Sequence, residues 1–399
     1  MFEVAIVGAG ASGLVAALSV ARRGKRVVVF EKNSKIGKKL LATGNGRCNI
    51  SNKSVEKSNF HSNNPGFVES VLGQFSTSAC RDFFEELGIE FKEGQKGRLY
   101  PMSLKSSSVV DLLVYECKRV GVEFRLSSEV KRVKKIGESF YLFIEDEKIQ
   151  AKVVLLATGS LAFGGSSSGY EFAKEFGHKV LPIFPSLVQL VCKENLKEIS
   201  GVKVEALVEV CSEPKESSFG DLLFTNYGVS GSVILDVSRI VSLHVSRGES
   251  IKLKIDLFSE LSKEALKNRL KNRLKFANQK SVELWLDGFL NPKLAKFFAK
   301  KVSKIRADEL NQRDLTKLAY ELKNMEMLAI ETKGFKSAEV CAGGIDTKAV
   351  NSKTMESKLV KGLYFSGEIL DVDGDCGGYN LHFAWASGFV SANSICDML

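Results

Sequence analysis

The sequence predicts an α/β protein in which one parallel-sheet domain is built from both ends of the chain. Three observations predict it: the chain opens with a strand, a glycine turn, a helix and a second strand; short alternating strands occupy its middle; and it closes with an apolar strand, a glycine turn and an apolar helix. With 399 residues, two or three domains are expected. We place the first domain at 1–187 and 336–399, an inserted β-rich, barrel-like domain at 188–257 and 323–335, and a small helical subdomain at 258–322.

The opening unit has the order and spacing of a phosphate-binding βαβ motif. The apolar strand Phe2–Val7 leads into Gly-Ala-Gly-Ala-Ser-Gly at 8–13, a helix over Leu14–Arg23 and a second strand over Lys25–Phe30. Gly8 permits the tight turn, Gly10 lets the backbone approach a pyrophosphate, and Gly13 lets helix and strand pack closely.

The same motif supplies two further binding features. The amino terminus of the first helix faces the phosphates, and Glu31, 18 residues after Gly13, can accept a hydrogen bond from a ribose hydroxyl. Because strand, helix and acid are all in place around the glycines, the sequence predicts a dinucleotide ligand.

The next elements follow from periodicity and from glycine stops. Residues 37–49 read as a polar, glycine-rich loop that contains Lys39 and Arg47, either of which can pair with a pyrophosphate or a substrate anion. Two amphipathic helices follow, and then four strands, the last of which ends in Ala157-Thr158-Gly159. The predicted bounds are Thr77–Leu87 and Ser107–Val120 for the helices and Val122–Leu126, Val130–Lys135, Ser139–Glu145 and Lys148–Leu156 for the strands.

The middle of the chain changes character twice. From about Leu187 to Ile255 short alternating strands are expected, for example Val202–Cys211 and Ser230–Val237. Phe258–Leu322 then has helical spacing, and strands with glycine turns return after Lys333.

Composition excludes several classes of protein. No apolar run approaches the roughly 18–20 residues of a membrane helix. The first strand starts at residue 2, which leaves no room for a signal peptide, and the eight cysteines are scattered without a CxxC pair. We therefore expect a cytoplasmic protein with reduced thiols, no metal site and no membrane association. The oligomeric state stays open.

The positive charge is concentrated in one segment. Residues 263–306 carry 13 Lys and Arg against three acids, and this excess of ten equals the net charge of the whole chain, +10. Such a run is commonly a solvated helix face, but acids then usually alternate with the bases. Since they hardly do so here, the segment favours contact with a polyphosphate, and we predict a nucleic-acid surface. Its expected phosphate contacts are Lys267, Arg269, Lys271, Arg273 and Lys275.

Three features favour FAD over NAD as the dinucleotide. The domain needs both ends of the chain, the Ala-Thr-Gly turn follows hairpin strands, and a late strand, Gly362–Phe365, runs into Ser366-Gly367-Glu368. This arrangement resembles the glutathione-reductase-like two-dinucleotide flavoproteins, which implies that a carboxylate after the late strand contacts the ribitol. Glu368, Asp371 and Asp373 are the candidates. A second GxGxxG for a nicotinamide cofactor is absent.

Longer motifs narrow the resemblance. TGNGRCNISN at 43–52, Gly97–Pro101, LLFTNYGVSG at 222–231 and the stretch 354–380 with its following WASG resemble the BaiN/RdsA-like family of FAD-dependent flavoproteins over nearly the full length. The chain departs from the family at His382-Phe383, where Gln-Trp is frequent. The resemblance implies reduction of a carbon–carbon double bond, of a bile-acid intermediate in one branch and of a ribosomal-RNA uridine in another.

The motifs and the resemblance together define the expected site. The turn from Cys376 to Asn380 precedes the last helix, whose amino terminus would face the flavin and stabilise its anionic reduced form. The expected FAD contacts are Gly8, Gly10, Ala11, Ser12, Gly13, Glu31, Lys32, Lys39, Leu40, Gly46, Arg47, Cys48, Val130, Thr158, Gly159, Gly367, Glu368, Asp373, Gly378, Tyr379, Asn380 and Leu381.

Two cysteines are candidates for the catalytic acid. Cys376 lies in the turn before the last helix, and Cys48 lies in the Gly-Arg-Cys-Asn segment. An ordinary thiol is mostly protonated at neutral pH and can give a proton to the reduced substrate. The alternative for each is a structural cysteine packed in a tight turn.

Three functions remain open at this point. The first is an FAD-dependent oxidoreductase that reduces uridine to dihydrouridine in large-subunit ribosomal RNA, with NAD(P)H as the transient electron donor. The second is a small-molecule enoate or steroid-like reductase that uses NAD(P)H. The third is a flavin-bearing RNA-binding module without turnover. The basic segment favours the first, because a small substrate gives no reason to concentrate ten charges in 44 residues.

Overall fold

The computed structural model describes residues 1–213 and 215–399, and these form two compact units. The first unit comprises Met1–Phe184 and Glu339–Leu399, and the second comprises Pro185–Ala338. Each unit has its own apolar core.

The amino-terminal part of the first unit contains both strands and helices, with four strands in succession between α5 and α6. Its strands are β1 (Phe2–Val7), β2 (Val27–Phe30), β3 (Ser51–Asn52), β4 (Phe60–His61), β5 (Phe91–Glu93), β6 (Arg98–Pro101), β7 (Glu123–Arg125), β8 (Arg132–Ile136), β9 (Ser139–Ile144), β10 (Glu147–Leu156) and β11 (Val180–Ser186). Its helices are α1 (Ala11–Arg22), α2 (Lys38–Gly46), α3 (Pro65–Leu72), α4 (Thr77–Glu85), α5 (Ser106–Arg119) and α6 (Ser168–Glu175).

The second unit combines a barrel with helices. Its strands are β12 (Leu190–Cys192), β13 (Lys203–Val210), β14 (Glu216–Phe224), β15 (Gly228–Ser230), β16 (Ile251–Asp256) and β17 (Met325–Thr332), which close into a barrel in the order β12-β15-β14-β13-β16-β17. Its helices are α7 (Ser232–Ser246), α8 (Lys263–Arg273), α9 (Val282–Asp287), α10 (Pro292–Ala299) and α11 (Gln312–Lys323).

The end of the chain returns to the first unit. Its elements are β18 (Val340–Ile345), β19 (Leu363–Phe365), β20 (Asp373–Gly374) and α12 (Tyr379–Met398). The main sheet has the order β7-β2-β1-β10-β9-β8, and β19 pairs with β10. Strand β1 lies between the parallel neighbours β2 and β10, and β10 is also parallel to β19. The prediction of an α/β Rossmann-type domain with a barrel-like insertion and a helical segment is confirmed.

The core of the sheet is nearly continuous apolar sequence, as a parallel sheet covered by helices requires. Val4, Ala5 and Ile6 of β1 have no exposed surface, and neither does Leu155 of β10. Helix α1 packs along α12, so the first and last helices cover the same region of the sheet.

Two predictions of local structure were wrong. A strand was expected over 230–237, but residues 232–246 form helix α7. The apolar residues at 233, 234, 237 and 241 follow a helical period and are buried against the barrel. The expected loop over 37–49 contains helix α2, which is interrupted by non-helical backbone at Thr43, Gly44 and Asn45.

Within the described residues, no helix is both long enough and apolar enough to cross a membrane.

Candidate active site

The three glycines of the turn between β1 and α1 have different surroundings. Gly8 has φ +110°, and a Cβ there would lie 2.4 Å from the carbonyl oxygen of Ala157. A Cβ on Gly13 would lie 2.0 Å from the Gly8 carbonyl oxygen. A Cβ on Gly10 would meet nothing within 4 Å. Gly8 and Gly13 therefore close the turn against the chain itself, whereas Gly10 faces open space.

This open space lies at the amino terminus of α1. Gly10 is the cap residue of α1, and no side chain caps the first turn. The free N–H groups and the partial positive charge of a helix start favour an anion. The turn therefore fits a pyrophosphate, the group that was expected at Gly10, Ala11 and Ser12.

Glu31 follows β2 and is buried next to this turn. Its carboxylate accepts hydrogen bonds from the Ala9 N–H (3.0 Å) and the Asn33 N–H (2.9 Å). These bonds fix the carboxylate at the edge of the turn, where the sequence places the ribose contact. The neighbouring Lys32 is exposed, and Leu40 and Val130 are buried.

A second group of polar side chains surrounds Glu368, after β19. Its carboxylate accepts bonds from Ser160 Oγ (2.7 Å) and from the Cys341 N–H (2.9 Å), and it forms an ion pair with Lys39. The preceding Gly367 has φ +76°, and its N–H donates to Ser387 Oγ at 2.9 Å. Glu368 is thus held in one orientation by three partners.

Several buried polar side chains lie around Glu368. Burial beside Glu368 raises the pKa of Cys341 to about 11 and raises that of Tyr170 as well. The Tyr170 hydroxyl and Thr158 Oγ1 are buried without a hydrogen-bond partner among the described residues. Gly159, next to Thr158, has φ +71° and open space at the position of a Cβ. Buried polar atoms without a protein partner are what a polar ligand at this place would engage.

The third part of the site is the turn before α12. Gly378 has φ +97°, and a Cβ there would lie 2.5 Å from the Ser51 carbonyl oxygen. The Asn380 side chain closes the turn, since its Oδ1 accepts from the Gly374 N–H at 2.8 Å and its Nδ2 donates to the Gly374 carbonyl at 2.6 Å. Helix α12 is 20 residues long, so its amino terminus is a strong local dipole end.

Segment 49–52 of the TGNGRCNISN motif holds this turn in place. Asn52 Nδ2 donates to the Gly377 carbonyl at 3.1 Å, and Trp385 Nε1 donates to the Ile50 carbonyl at 3.0 Å. Asn49 Oδ1 is buried without a partner among the described residues, next to the Cβ position of Gly378. Together with Thr158 Oγ1 it is an acceptor available to a flavin, so the residues fit FAD.

His382 connects the same motif to the core. Its Nε2 lies 3.1 Å from the Phe75 carbonyl and its Nδ1 lies 2.9 Å from Ser51 Oγ. Because a carbonyl only accepts, we assign the proton to Nε2, and Nδ1 then accepts from the Ser51 hydroxyl. Burial lowers the pKa of His382 to about 4, so the imidazole is neutral at physiological pH.

The two candidate cysteines lie in different surroundings. Cys376 is half-buried, and Arg98 donates to its carbonyl oxygen (3.4 Å) and to its Sγ (3.6 Å). Cys48 has no exposed surface, and burial raises the pKa of its thiol to about 12. The Cys48 proton is therefore held, while the Cys376 thiol lies beside a guanidinium that stabilises negative charge on sulfur.

Three residues at this turn were missed by the sequence analysis. His61 Nε2 lies 2.8 Å from Asp375 Oδ1, and Asn63 donates twice to Asp371 Oδ2, at 3.0 and 3.1 Å. Arg98, the third, lies in the matched stretch 97–101 but was given no role. The pairs of His61 and Asn63 join residues more than 300 positions apart, and no local motif signals them.

The remaining predicted FAD contacts have the following surroundings. Arg47 is exposed, donates to the Gly44 carbonyl at 3.2 Å and stacks over the Tyr100 ring at 5.1 Å. Asp373 is buried in β20 opposite His61 of β4. Tyr379 packs edge-on against Phe60, Leu381 packs against the core, and Gly46 has φ +78°.

The five predicted nucleic-acid contacts in α8 and the turn after it differ in whether their charge is free to bind a phosphate. Lys267 is paired with Glu264 at 2.7 Å, and Arg273 donates to the Trp285 carbonyl at 2.9 Å. Desolvation among these residues lowers the pKa of Arg273. Arg269, Lys271 and Lys275 are exposed. Of the five predicted contacts, these three are therefore the ones whose charge is free to bind phosphate.

Comparison with known proteins agrees with this architecture. The model of the HI0933-like protein Rossmann domain matches residues 2–394. The chain is 34% identical to the 3-dehydro-bile acid delta(4,6)-reductase of Clostridium scindens over all of both chains. It is also 34% identical to the ribosomal RNA dihydrouridine synthase of Haemophilus influenzae over 98% of each chain.

Solved flavoenzymes share the fold at low sequence identity. A flavocytochrome c3 fumarate reductase matches 99% of this chain and 78% of its own, with a TM-score of 0.50 at 16% identity. A 3-ketosteroid-delta4-(5alpha)-dehydrogenase from Rhodococcus jostii matches 99% of this chain and 96% of its own, with a TM-score of 0.50 at 14% identity.

Proposed function

Because the chain belongs to the HI0933-like family of FAD-dependent oxidoreductases, we propose that it reduces a carbon–carbon double bond, that of uridine in large-subunit ribosomal RNA. The observation that carries the choice of substrate is the excess of ten positive charges over residues 263–306. A phosphate-rich substrate accounts for this excess. Cytoplasmic location and NAD(P)H as the transient donor are parts of the same proposal, and the eight free thiols support the first.

Bound FAD, once reduced, would supply the hydride. The turn at Gly10 would hold its pyrophosphate, Glu31 its adenosine ribose, and Glu368 with Lys39 its ribitol side. Asn49 Oδ1, Thr158 Oγ1 and the amino terminus of α12 would meet the remaining polar edges. The ion pair and hydrogen bonds around Glu368 keep its carboxylate in place before the cofactor arrives.

The proton for the second carbon of the double bond would come from Cys376 Sγ. The thiol is half-buried and therefore accessible, and Arg98 at 3.6 Å would stabilise the thiolate that remains. Cys48 is less suited, since its fully buried thiol has a raised pKa and holds its proton.

RNA would bind through the outward cations of the second unit. Arg269, Lys271 and Lys275 are exposed and belong to the basic segment. Charges of this kind bind phosphates of any sequence and position the substrate without specifying it.

A reductase of a small, steroid-like enoate is the second candidate. It is favoured by the bile-acid reductase of Clostridium scindens, which matches the entire chain at the same identity as the RNA enzyme. On this alternative the basic segment has no part in the reaction.

Mass spectrometry of ribosomal-RNA nucleosides tests the proposal directly. A strain that lacks the gene should lose one dihydrouridine from large-subunit RNA, and the purified holoenzyme with NAD(P)H should restore it. Unchanged dihydrouridine together with turnover of a steroid-like enone would favour the small-molecule reductase. RNA binding without reduction of either substrate would identify an RNA-binding module.

Charge reversal tests the RNA surface separately. The triple variant R269E/K271E/K275E should bind RNA more weakly and reduce the slope of log affinity against log salt by about 2, at roughly 0.7 for each lost phosphate contact. Its FAD content should match the wild type, because the three residues lie in the second unit. The matched control K92E/K118E/K179E reverses three exposed lysines of the first unit and should keep the wild-type slope.

A further inference from the structure

The second unit has a surface groove that includes none of the five predicted phosphate contacts at 267–275. The groove has a volume of about 440 Å³ and is formed by the first residue of α8 and one face of α11. The lining residues are Lys263, Gln312, Arg313, Thr316, Lys317 and Tyr320. On α11 they recur at helical spacing, opposite the buried face of Leu315, Leu318 and Leu322.

The groove is cationic. Of its six described lining residues, three are basic and none is acidic. The acids nearest in sequence are engaged elsewhere: Glu264 pairs with Lys267 at 2.7 Å, and Glu321 pairs with Lys301 at 3.4 Å. Asp314 caps α11, where it accepts from the Asn311 N–H at 3.1 Å. The positive charge of the groove is therefore not neutralised by these neighbours.

An exposed aromatic ring lies among these cations. Tyr320 is 46% exposed, and the Lys263 ammonium lies 5.0 Å from its ring centroid. A large exposed ring beside Lys and Arg is the combination that binds single-stranded nucleic acid, since the ring stacks on a base and the cations bind the flanking phosphates. The flexible Lys263 side chain can leave the ring for a phosphate when a base takes its place.

We propose that this groove binds an unpaired nucleotide of the RNA substrate. The base stacks on Tyr320, and the adjoining phosphates lie against Lys263, Arg313 and Lys317. The nucleotide must be unpaired, because a base inside a duplex has no free face on which a ring could stack. Phosphate contacts alone would not require an aromatic ring in the groove. This inference rests on the proposed function, which supplies the RNA.

Binding of a synthetic RNA to the full-length holoprotein tests the groove. The probe is an oligonucleotide of about twelve residues, used single-stranded and as a duplex of the same sequence. Tyr320→Ala should weaken single-strand binding about 5- to 100-fold and leave duplex binding unchanged. Tyr320→Phe keeps the ring and should bind like the wild type. Tyr115→Ala removes an exposed tyrosine of the first unit and is the matched control.

The salt dependence of RNA binding tests the cations of the groove. R313E/K317E should reduce the single-strand salt slope by about 1.4, at roughly 0.7 for each phosphate contact, whereas the control K92E/K118E should not. FAD content of every variant is measured alongside, so that loss of fold is distinguished from loss of binding.

The outcomes separate this inference from the function on which it rests. If the wild type binds RNA and Tyr320→Ala and R313E/K317E bind as well as it does, the groove is not a nucleotide site, and the proposed function stands. Equal weakening of single-strand and duplex binding by Tyr320→Ala would also overturn the stacking role. If the wild type binds neither form of RNA, both the groove and the RNA substrate are refuted.

Discussion

Replacing Gly10 by valine should abolish FAD binding and leave the fold intact. Gly10 has φ −86° and ψ −168°, an extended conformation that valine adopts without strain, and a Cβ there meets nothing within 4 Å. Valine is a poorer helix cap than glycine, by roughly 0.5–1 kcal/mol, but it reduces the entropy of the unfolded chain by a similar amount. The free energy of unfolding of the apoprotein should therefore change by less than about 1 kcal/mol.

The effect on the cofactor should be much larger. The valine side chain would fill the space in front of the amino terminus of α1, where the pyrophosphate would accept N–H donors. Losing two hydrogen bonds to a charged group costs about 3–6 kcal/mol, which corresponds to a roughly 10²- to 10⁴-fold weaker affinity. Absorbance of the purified protein and of flavin released by acid measures the occupancy, and thermal unfolding of the apoprotein measures the fold.

Two further glycine variants make this test specific. Gly13→Ala places a Cβ 2.0 Å from the Gly8 carbonyl oxygen and should destabilise the apoprotein itself. Gly66→Val alters an open position in α3 and should keep both stability and flavin. Stoichiometric FAD in Gly10→Val would refute the assignment of this turn to the pyrophosphate.

Three other variants test separate parts of the site. Cys376→Ala should slow substrate reduction about 10²- to 10³-fold while flavin reduction by the donor is nearly unchanged, as stopped-flow absorbance of each half-reaction would show. Glu368→Gln should weaken FAD binding about 10- to 100-fold, measured by titration of the apoprotein, because it removes the charge partner of Lys39. His382→Gln should make the free energy of unfolding less sensitive to acid. The folded-state pKa of His382 is lowered to about 4 from an unfolded value near 6.5, so the unfolded chain binds the extra proton first and stability falls between pH 6.5 and 4, by on the order of 3 kcal/mol.

Each of these variants has a control and an opposing result. Cys211→Ala changes an exposed cysteine of the second unit and should retain full turnover; an equally active Cys376→Ala would make that residue structural. Glu171→Gln removes an exposed acid of α6 and is the control that should keep the wild-type FAD affinity. Unaltered FAD affinity in Glu368→Gln would exclude a ribitol contact by Glu368. Parallel unfolding curves for wild type and His382→Gln across pH 4–7 would show that His382 does not carry the acid sensitivity.

Local sequence predicted the parts of the fold whose causes are local. The bounds of β1 are as expected, because an apolar run followed by glycines is sufficient to define a buried parallel strand and its turn. Helix α7 was mistaken for strand, since a short apolar run suits either structure and its burial against the barrel decides. The partners of Glu368 and the pair of His61 and Asp375 depend on contacts between distant segments, which no spacing encodes. Likewise, only packing shows that Arg273 is turned toward Trp285 while Arg269 stays exposed.

The bonds between segment 49–52 and α12 have a consequence for biosynthesis. Asn52 holds the Gly377 carbonyl, and Ile50 accepts from Trp385, so the turn before α12 is supported by residues more than 300 positions earlier. A ribosome completes the amino-terminal βαβ unit long before it releases α12, and domains generally fold as units during synthesis. The proposed pocket for the flavin ring would therefore form only after the last helix has left the ribosome. Nascent chains halted before residue 376 should lose FAD when the free cofactor is washed away, and the released full-length chain should retain it.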